Sequence, residues 1–311
     1  MEFVKDLRWK KGMKVKDLFE QFEQNGFQSI ELFKAGKIIL KMINEHAKIF
    51  LTFTSNLATS GLRGLFAQWI EFGYVHAVVT TTGAIEEDIM KAIGERFLIS
   101  RFDADDIELH EKGHNRIGNL VITNDSYMKF EAFITPILNE IAKEQKRITV
   151  SELIWKIGER LNDENSFIYQ ATKKHVPIFV PGITDGSFGF HLYLTQQKYH
   201  DFVVDVVKDF GNIMFSISQD DKKGIIALGG GISKHHAILA SLISGGMDYA
   251  VYITTSRQYS GSMSGATTSE AKSWGKIKDD SDSVTVNGDA SILFPLLTAY
   301  VFDSLNAENE E

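Results

Sequence analysis

The chain has 311 residues, of which 43% are hydrophobic and only four are proline, so it is long enough to bury a sizeable core in one large domain. It contains no cysteine, which excludes disulfides, thiolate metal sites and a cysteine nucleophile and fits a reducing compartment. The formal net charge of -8 argues against general nucleic-acid binding and favours cationic partners such as polyamines or a basic protein loop, unless it serves solubility alone.

Neither a targeting segment nor a membrane span is predicted. Residues 1–16 carry mixed charges and no apolar h-region, so they do not resemble a secretory signal. No run of about 18 apolar residues occurs anywhere in the sequence. We therefore expect a cytoplasmic protein with neither a membrane nor a nucleic acid as a partner.

The first part of the chain alternates between two kinds of apolar pattern. Apolar residues recur at helical spacing over 13–46, 57–72 and 84–90, whereas 48–53 and 75–79 are predominantly apolar runs. Such runs are typical of parallel strands buried on both faces and joined by crossover helices. A small polar turn follows each strand and opens the next helix, which is where ligands bind in sheets of this kind.

Residues 101–125 are polar and irregular, and they contain the one candidate metal site. His110 and His114 are four residues apart and would share one face of a helix, as paired metal ligands do. Gly113 interrupts that helix, and no third ligand is evident. We therefore predict no metal.

The second part of the chain continues the alternation. Ser151 is placed to cap a helix over 152–161, and further helices are predicted over 166–174, over 202–210 and from near Lys234. Strands are predicted over 176–180, 224–228 and 249–253, with a short strand over 283–286. A helix over 290–306 closes the pattern, and no internal repeat or linker is evident.

A lysine close to a tryptophan stands out in Ser273-Trp274-Gly275-Lys276. A lysine held beside an indole in a dry pocket loses hydration of its charged form, which lowers its pKa and makes a neutral, nucleophilic amine available. The alternative is that Lys276 is an ordinary solvated lysine and Trp274 a core aromatic. These four residues alone favour the alternative.

The glycine run 229–231 resembles a dinucleotide-binding turn only in part. Gly229 and Gly231 fit the first two glycines of that fingerprint, but Lys234 stands at the third position, so an ordinary tight turn is an equal alternative. No Walker motif and no Gly-x-Ser-x-Gly elbow is present, which argues against ATP chemistry and against hydrolases of that type.

Small polar turns follow five predicted strands, and the carboxyl ends of parallel strands meet at one edge of a sheet. A lysine, two acids and a histidine at that edge would form a site. The turns are Ser55-Asn56, Thr81-Thr82-Gly83, Thr184-Asp185-Gly186, Gly229-Gly230-Gly231 and Thr254-Thr255-Ser256.

Along essentially its whole length the chain resembles the deoxyhypusine synthase family, most closely in its archaeal form, because many short motifs occur in the family's order. The matching segments are Thr54-Ser55-Asn56-Leu57, Ser60-Gly61-Leu62-Arg63, Thr82-Gly83 with Glu86-Glu87-Asp88, Asn115-Arg116-Ile117-Gly118-Asn119, Thr184-Asp185-Gly186-Ser187, Gly229-Gly230-Gly231 with Lys234-His235-His236, Asp248-Tyr249-Ala250-Val251-Tyr252-Ile253, residues 270–276 and Asp289-Ala290-Ser291.

The resemblance implies an NAD-dependent aminobutyl transferase of hypusine biosynthesis. In the family NAD takes a hydride from spermidine, the imine loses diaminopropane, and the aminobutyl group is held as an imine on a lysine, here Lys276. The group passes to a lysine of translation factor five A, where the same NADH reduces it. By this resemblance Trp274 would wall the aliphatic stem of the polyamine, and His235 and Glu270 would contact its amines.

The resemblance also implies the ligand-binding positions. Those for the substrate are His235, Glu270, Trp274, Glu86, Glu87, Gly261 and Ser262. Those for NAD are Ser55, Asn56, Thr81, Thr82, Gly83, Glu87, Asp185, Gly230, Thr255, Ser256, Asp289 and Ala290.

The predicted architecture is an α/β protein: a single large Rossmann-like domain with a mostly parallel sheet flanked by helices, plus an N-terminal helical extension. We assign the extension to residues 1–30, the NAD-binding and catalytic domain to 31–306 and a frayed acidic tail to 307–311. The family is a homotetramer with sites between paired subunits, and its N-terminal helix can cover a neighbour's site. Residues 1–22 are the candidate for that role here.

Four positions depart from the family pattern. Phe190 stands where the family's eukaryotic members have an aspartate, Ser260 and Met263 replace two further aspartates, and Leu239 replaces an asparagine. The changes at Phe190 and Met263 remove carboxylates that would hold terminal ammonium groups of a polyamine. Burying an ammonium without a partner costs several kcal/mol, so the amine donor is the open question.

Three explanations of the missing carboxylates stay open. Either Glu86, Glu87 and Glu270 hold the donor, or the donor is different or shorter, or a local realignment brings in His191.

Two other functions stay open as well. The chain could be a synthase-like enzyme that makes a small polyamine such as homospermidine, or a non-catalytic regulatory paralogue that activates a true synthase. Retention of Lys276, Trp274, Glu270 and His235 argues against the regulatory paralogue.

Overall fold

The computed structural model describes residues 3–216 and 220–308, with side chains as far as residue 305. Two compact units are present: the first draws its described residues from 1–53, 74–79 and 212–311, and the second from 54–73 and 80–211. No helix within the described ranges is both long and apolar enough to cross a bilayer. The division predicted at residues 30 and 306 stays a prediction, and residues 309–311 of the predicted tail lie outside the described ranges.

Helices and strands alternate along the described chain. The α-helices are α1 Val15–Gln21, α2 Gln28–Asn44, α3 Ser55–Leu57, α4 Arg63–Glu71, α5 Thr82–Ala92, α6 Asp106–Glu111, α7 Asn124–Glu144, α8 Val150–Gly158, α9 Phe167–Lys174, α10 Ser187–Lys198, α11 Val206–Phe215, α12 Gly231–Ser241, α13 Thr268–Ser273 and α14 Ala290–Glu308. The strands are β1 Lys48–Phe53, β2 Ala77–Val79, β3 Leu98–Ile99, β4 His114–Ile117, β5 Leu120–Thr123, β6 Arg147–Ile148, β7 Ile178–Phe179, β8 Val203–Val204, β9 Lys223–Leu228, β10 Met247–Thr254 and β11 Ile277–Asn287. A π-helical turn occupies Ala58–Leu62, and 3-10 turns occupy Phe22–Gln24, Leu242–Ser244, Gln258–Ser260 and Met263–Gly265.

A parallel sheet forms the core of the first unit, with its strands in the order β11-β10-β9-β1-β2. Strands β9, β1 and β2 are buried almost throughout because they lie inside the sheet or under helix α12, which packs on all three. Helix α2 packs against β10 and β11. The predicted α/β class with a mostly parallel sheet is confirmed.

Helices dominate the second unit, where α5 packs against α3, α7, α9 and α10. Its strands are short: β3, β5 and β4 form an antiparallel sheet, and β6 pairs with β8. Residues 101–125, which the sequence left irregular, contain α6 and the β4–β5 hairpin. His110 lies in α6 and His114 in β4, so the common helical face considered for a metal does not exist.

The N-cap predicted for α8, Ser151, was wrong by two residues. Thr149 is the N-cap: its hydroxyl accepts from the backbone N–H of Glu152, whose carboxylate accepts in turn from the Thr149 N–H at 2.9 Å. Ser151 lies inside the helix, buried, and its hydroxyl donates to Asp209. The helix predicted over 202–210 begins only at Val206, after the short strand β8.

Candidate active site

The backbone of Lys276 is fixed where helix α13 leads into strand β11. Its N–H donates to the carbonyl of Ala271 at 3.1 Å. Its carbonyl accepts from the N–H of Met247 at 3.0 Å and from the hydroxyl of Ser241 at 3.2 Å. Gly275 makes this connection possible because its φ of 66° lies in the left-handed region that favours glycine.

An ordinary lysine beside a core aromatic would be exposed and the aromatic ring buried. Lys276 and Trp274 show the opposite exposures. Lys276 is only 6% exposed, whereas Trp274 is 63% exposed. The Lys276 Nζ lies 5.0 Å from the centroid of the Trp274 ring, a cation–π geometry, and 3.2 Å from the Nε2 of His235. The predicted neighbours of the lysine are thus brought together within one unit.

His235 is the fifth residue of helix α12. That helix begins at Gly231, three residues after β9 ends, rather than near Lys234 as predicted. Burial lowers the pKa of His235, and the charges of Lys276 and Lys234 lower it further. At neutral pH the imidazole is therefore uncharged, so its Nε2 can accept a hydrogen bond from the Lys276 Nζ when the tautomer carries its hydrogen on Nδ1.

A narrow pocket of about 10 Å³ lies beside the Lys276 amine. Its lining is mostly apolar, with one carboxylate and two amines: Lys234, Ile238, Tyr252, Met263, Ala266, Thr267, Glu270, Ala271, Trp274 and Lys276. Glu270 enters the lining because Thr267 caps helix α13 by accepting from the Glu270 N–H at 3.2 Å. The lining includes Met263 but, within the described residues, neither Gly261 nor Ser262, which are exposed in the preceding loop.

Lys234 is a pocket residue to which the sequence analysis gave no role. It is fully buried, its Nζ donates to the carbonyl of Ala266 at 2.8 Å, and the same Nζ lies 4.6 Å from the centroid of the Tyr252 ring. Burial lowers the pKa of Lys234 to about 8, against the opposing charge of Glu270. The family motif that contains Lys234 was the signal that could have drawn attention to it.

The remaining cofactor candidates of the first unit lie in the turns that follow β9, β10 and β11. A Cβ on Gly230 would lie 2.4 Å from the Cα of Ser264, so two backbones approach closely there. Thr255 lines a second pocket, and Ser256 follows it. Asp289 accepts from the N–H of Ser291 at 2.8 Å, which places its carboxylate at the start of α14, next to Ala290.

A second cluster of predicted cofactor residues forms in the second unit, at the start of helices α3 and α5. The Ser55 N–H donates to the hydroxyl of Thr81 at 3.1 Å, and a Cβ on Gly83 would lie 3.0 Å from the Ser55 Cβ. Thr82 donates to the carbonyl of Gly182 at 2.7 Å. Asn56 follows on α3, where its side-chain oxygen accepts from the hydroxyl of Thr54, while Asp185 is exposed in the turn before α10.

Glu86 and Glu87 are buried next to each other on α5 but have different partners. The Glu86 carboxylate accepts from the N–H of Phe188 at 2.7 Å, at the start of α10. Burial raises the pKa of Glu86, and the N–H groups of Phe188 and Ser187 oppose that effect. Burial also raises the pKa of Glu87, to about 7, although the hydroxyl of Thr59 donates to it. Contact of either acid with a substrate stays a prediction.

Asp88, the third acid of this run, is fully buried and anchors α5. It accepts from the Nε of Arg63 at 2.6 Å, from the N–H of Ile168 at 3.1 Å and from the hydroxyl of Ser166. Arg63 also binds Asp163 at 2.8 Å. No sign of this network was evident in the sequence, although Arg63 and Asp88 both belong to the quoted family motifs.

The positions that depart from the family pattern have distinct surroundings. Phe190 is 57% exposed on α10, whereas its neighbour His191 is buried and packs against Phe130. Ser260 is exposed, and Leu239 is half-buried on α12. Met263 lies in the Lys276 pocket itself, so it is the departure with a direct effect on the lining of that pocket.

Three helix N-termini closely follow strand ends, the arrangement that binds phosphate groups in α/β proteins. Helices α5, α12 and α14 each begin three residues after a strand ends, at Val79, Leu228 and Asn287 respectively. Helix N-termini that follow strand ends in this way present free N–H groups to phosphate. The close approaches at Gly83 and Gly230 leave no space for side chains beside those N–H groups.

An α/β sheet with helix N-termini after its strand ends, together with a buried lysine beside a histidine, defines an α/β protein with an amine-centred site. Comparison with known proteins narrows this class: the family model for deoxyhypusine synthase matches residues 17–301. The chain therefore belongs to the deoxyhypusine synthase family, as its motifs predicted.

Relatives in this family match over nearly the whole chain. A protein named "Probable deoxyhypusine synthase" from Schizosaccharomyces pombe is 40% identical over 308 residues, which cover 94% of this chain and 88% of that one. A protein of the same name from Sulfurisphaera tokodaii is also 40% identical, over 96% of both chains. A crystal structure of a deoxyhypusine synthase candidate from Entamoeba histolytica matches with a TM-score of 0.69 and 30% identity, over 96% of this chain and 97% of that one.

Proposed function

We propose that this chain is an NAD-dependent aminobutyl transferase that takes the aminobutyl group of spermidine, holds it as an imine on Lys276 and delivers it to a lysine of translation factor five A. The observation that carries the proposal is the buried Lys276 amine, 3.2 Å from an imidazole whose burial keeps it uncharged. Membership of the deoxyhypusine synthase family supports it.

After the donor has been oxidised, the Lys276 amine, which is hydrogen-bonded to the His235 imidazole, acts as the nucleophile. That amine attacks the imine carbon of the oxidised donor, the bond to the diaminopropane nitrogen breaks, and diaminopropane leaves with a proton. The aminobutyl group is then joined to the Nζ of Lys276 through a C=N bond. The acceptor lysine repeats this exchange and frees Lys276. The exposed face of Trp274 can pack against the aliphatic stem of the donor.

NAD, when bound, supplies the oxidant for the donor and, as NADH, the reductant for the product. The residues proposed to hold it are the cofactor positions named from the resemblance, several of which lie at helix N-termini. These N–H groups would bind its phosphates.

A small-molecule acceptor is the second candidate. Met263 and Ile238 make the pocket beside Lys276 largely apolar, with Glu270 its single carboxylate among the described lining residues. Such a pocket favours a short diamine, which brings few charges near the reacting carbon, as the acceptor of a homospermidine-type reaction.

The test is incubation of the purified protein with NAD and labelled spermidine, followed by borohydride reduction and peptide mapping. We expect label on Lys276, and transfer of label when translation factor five A replaces borohydride. Label on Lys276 that passes only to putrescine would support the small-molecule acceptor. No label with any donor would overturn the proposal.

Two matched variants isolate the nucleophile. Lys276→Arg is expected to keep NAD binding and lose the trapped adduct entirely, because a guanidinium stays protonated. Lys272→Arg is the control, since Lys272 lies four residues earlier and its Nζ donates to the carbonyl of Asp279 rather than lining the pocket. Label transfer by Lys276→Arg at the rate of the unmodified protein would show that Lys276 is not the nucleophile.

The proposal includes a homotetramer in which residues 1–22 cover a neighbour's site. Phe3, Leu7 and Trp9 are exposed in the segment before α1, and Phe3 and Trp9 are 92% and 77% exposed. Light scattering of the purified protein should give four times the mass of the 35.0 kDa chain.

A further inference from the structure

The π-helical turn Ala58–Leu62 is held by a lysine of α5. Lys91 donates to the carbonyl of Ala58 at 2.9 Å and to the carbonyl of Thr59 at 2.8 Å. Gly61 has a φ of 112° inside this turn, so its backbone departs from helical geometry. The carbonyl groups of this wider turn point in other directions than those of an ordinary helix. The Lys91 ammonium, which belongs to α5 and not to the turn, holds two of these carbonyls in place.

The same turn supplies the hydrogen-bond partner of Glu87. The Thr59 hydroxyl lies within hydrogen-bond distance of the Glu87 carboxylate and, at 3.1 Å, of the carbonyl of Ser55. A hydroxyl has one proton to donate. When Glu87 is ionised that proton goes to Glu87; when Glu87 is protonated, Glu87 donates to Thr59, which then donates to Ser55. Both charge states of Glu87 are therefore hydrogen-bonded.

Few charged groups face Glu87, and Lys91 is the one that favours its ionised form. Burial raises the pKa of Glu87 to about 7, Lys91 one helical turn away lowers it, and the neighbouring Glu86 raises it. Tyr127, the titratable group that faces both acids from α7, has a pKa raised by burial and by those acids, and it stays neutral. The charge of Glu87 near neutral pH thus depends on the Thr59 hydroxyl and, among the described charged groups, on Lys91.

We propose that Lys91 is a positioning residue for the cofactor site: it holds the π-helical turn against Glu87 and keeps that carboxylate ionised. This inference rests on the proposed function only in that Glu87 and Ser55 bind NAD. Lys91 itself reaches neither acid by a hydrogen bond among the described contacts, so it acts through the turn and through its charge.

The experiment measures the dissociation constant of NAD, and the yield of the Lys276 adduct, from pH 5.5 to 9 for the full-length protein and three variants. Lys91→Met removes the charge and the two carbonyl bonds, and Lys91→Arg retains both. Lys129→Met is the control, because Lys129 pairs on the surface with Glu95 and Asp125.

In the unmodified protein we expect NAD affinity to fall as the pH drops through about 7, where Glu87 takes up its proton. In Lys91→Met that fall should begin about one pH unit higher, because loss of a nearby positive charge raises a carboxyl pKa. Lys91→Arg should restore the original profile, and Lys129→Met should match it.

The outcomes separate the inference from the proposed function. Absence of NAD binding and of adduct in the unmodified protein would overturn the proposed function. A working protein whose Lys91→Met variant is weakened equally at every pH, or is unchanged, would overturn the inference, since a lysine that only supports the fold does not move a pH profile.

Discussion

Replacing Lys234 by methionine should change how the stability of the protein depends on pH. The Lys234 side chain is fully buried, and its pKa is lowered from 10.5 to about 8 by burial. The unfolded chain keeps this proton until about pH 10.4, whereas the folded chain releases it near pH 8. Between these values the unfolded state binds more protons, so the free energy of unfolding of the unmodified protein rises with pH.

The size of the effect follows from the pKa difference. At about 1.4 kcal/mol for each pH unit, the lowered pKa corresponds to about 3 kcal/mol of stability that the buried ammonium removes below pH 8 and that returns as the pH approaches 10.5. Lys234→Met relieves this cost but also removes the hydrogen bond to Ala266, worth about 1–3 kcal/mol. The free energies of unfolding of the unmodified protein and of Lys234→Met should therefore differ little at pH 7. As the pH rises, the unmodified protein should become more stable relative to Lys234→Met.

The assay is urea unfolding at several pH values between 7 and 10, read by tryptophan fluorescence. We expect the difference in free energy of unfolding between the two proteins to change by about 2–3 kcal/mol over this range. Lys34→Met provides the matched control, since Lys34 pairs with Glu31 and is 52% exposed. A difference that stays constant from pH 7 to 10 would refute the reasoning, because it would mean that Lys234 keeps an ordinary pKa.

Two further predictions concern buried contacts. Asp88→Asn should lower the free energy of unfolding by about 3–5 kcal/mol in urea, because it leaves the buried guanidinium of Arg63 without its closest carboxylate; a loss below about 1 kcal/mol would show that the pair is not buried in solution. Gly230→Ala should cost about 1–3 kcal/mol and abolish the Lys276 adduct, because the added Cβ would lie 2.4 Å from the Cα of Ser264. Gly211→Ala, in the open surface of α11, should be neutral or stabilising, and equal losses in both alanine variants would contradict the packing argument.

The strands of the sheet could be predicted from the sequence where burial made them apolar. Strand β1 was predicted to the residue, and β9 and β10 to within two residues at each end, because their side chains are buried on both faces. Strand β11 runs over Ile277–Asn287, but only 283–286 was predicted. It lies at the edge of the first unit's sheet, where polar residues such as Asp280 remain exposed to water. The sequence of this strand therefore lacks the apolar run by which the other strands were predicted.

The site was predictable in its chemistry but not in its burial. Lys276 and His235 were named from motifs, and the structure brings them together. Sequence cannot tell a buried lysine from a solvated one, because burial depends on which distant segments pack over it. Lys234 illustrates this: its partners, Ala266 and Tyr252, are 32 and 18 residues away. Polar side chains on the second unit, such as Arg63 and Asp88, are fixed by equally distant contacts.

The fixed backbone of Lys276 has a consequence for how an attached group would travel. Its peptide N–H and carbonyl are both bonded, to Ala271 on one side and to Met247 and Ser241 on the other. Conformational freedom is therefore confined to the four-carbon side chain of Lys276. An aminobutyl group attached to Nζ would move only by rotations within this side chain, about a fixed backbone. Much of the entropy cost of orienting donor and acceptor is then met during folding, before either one binds.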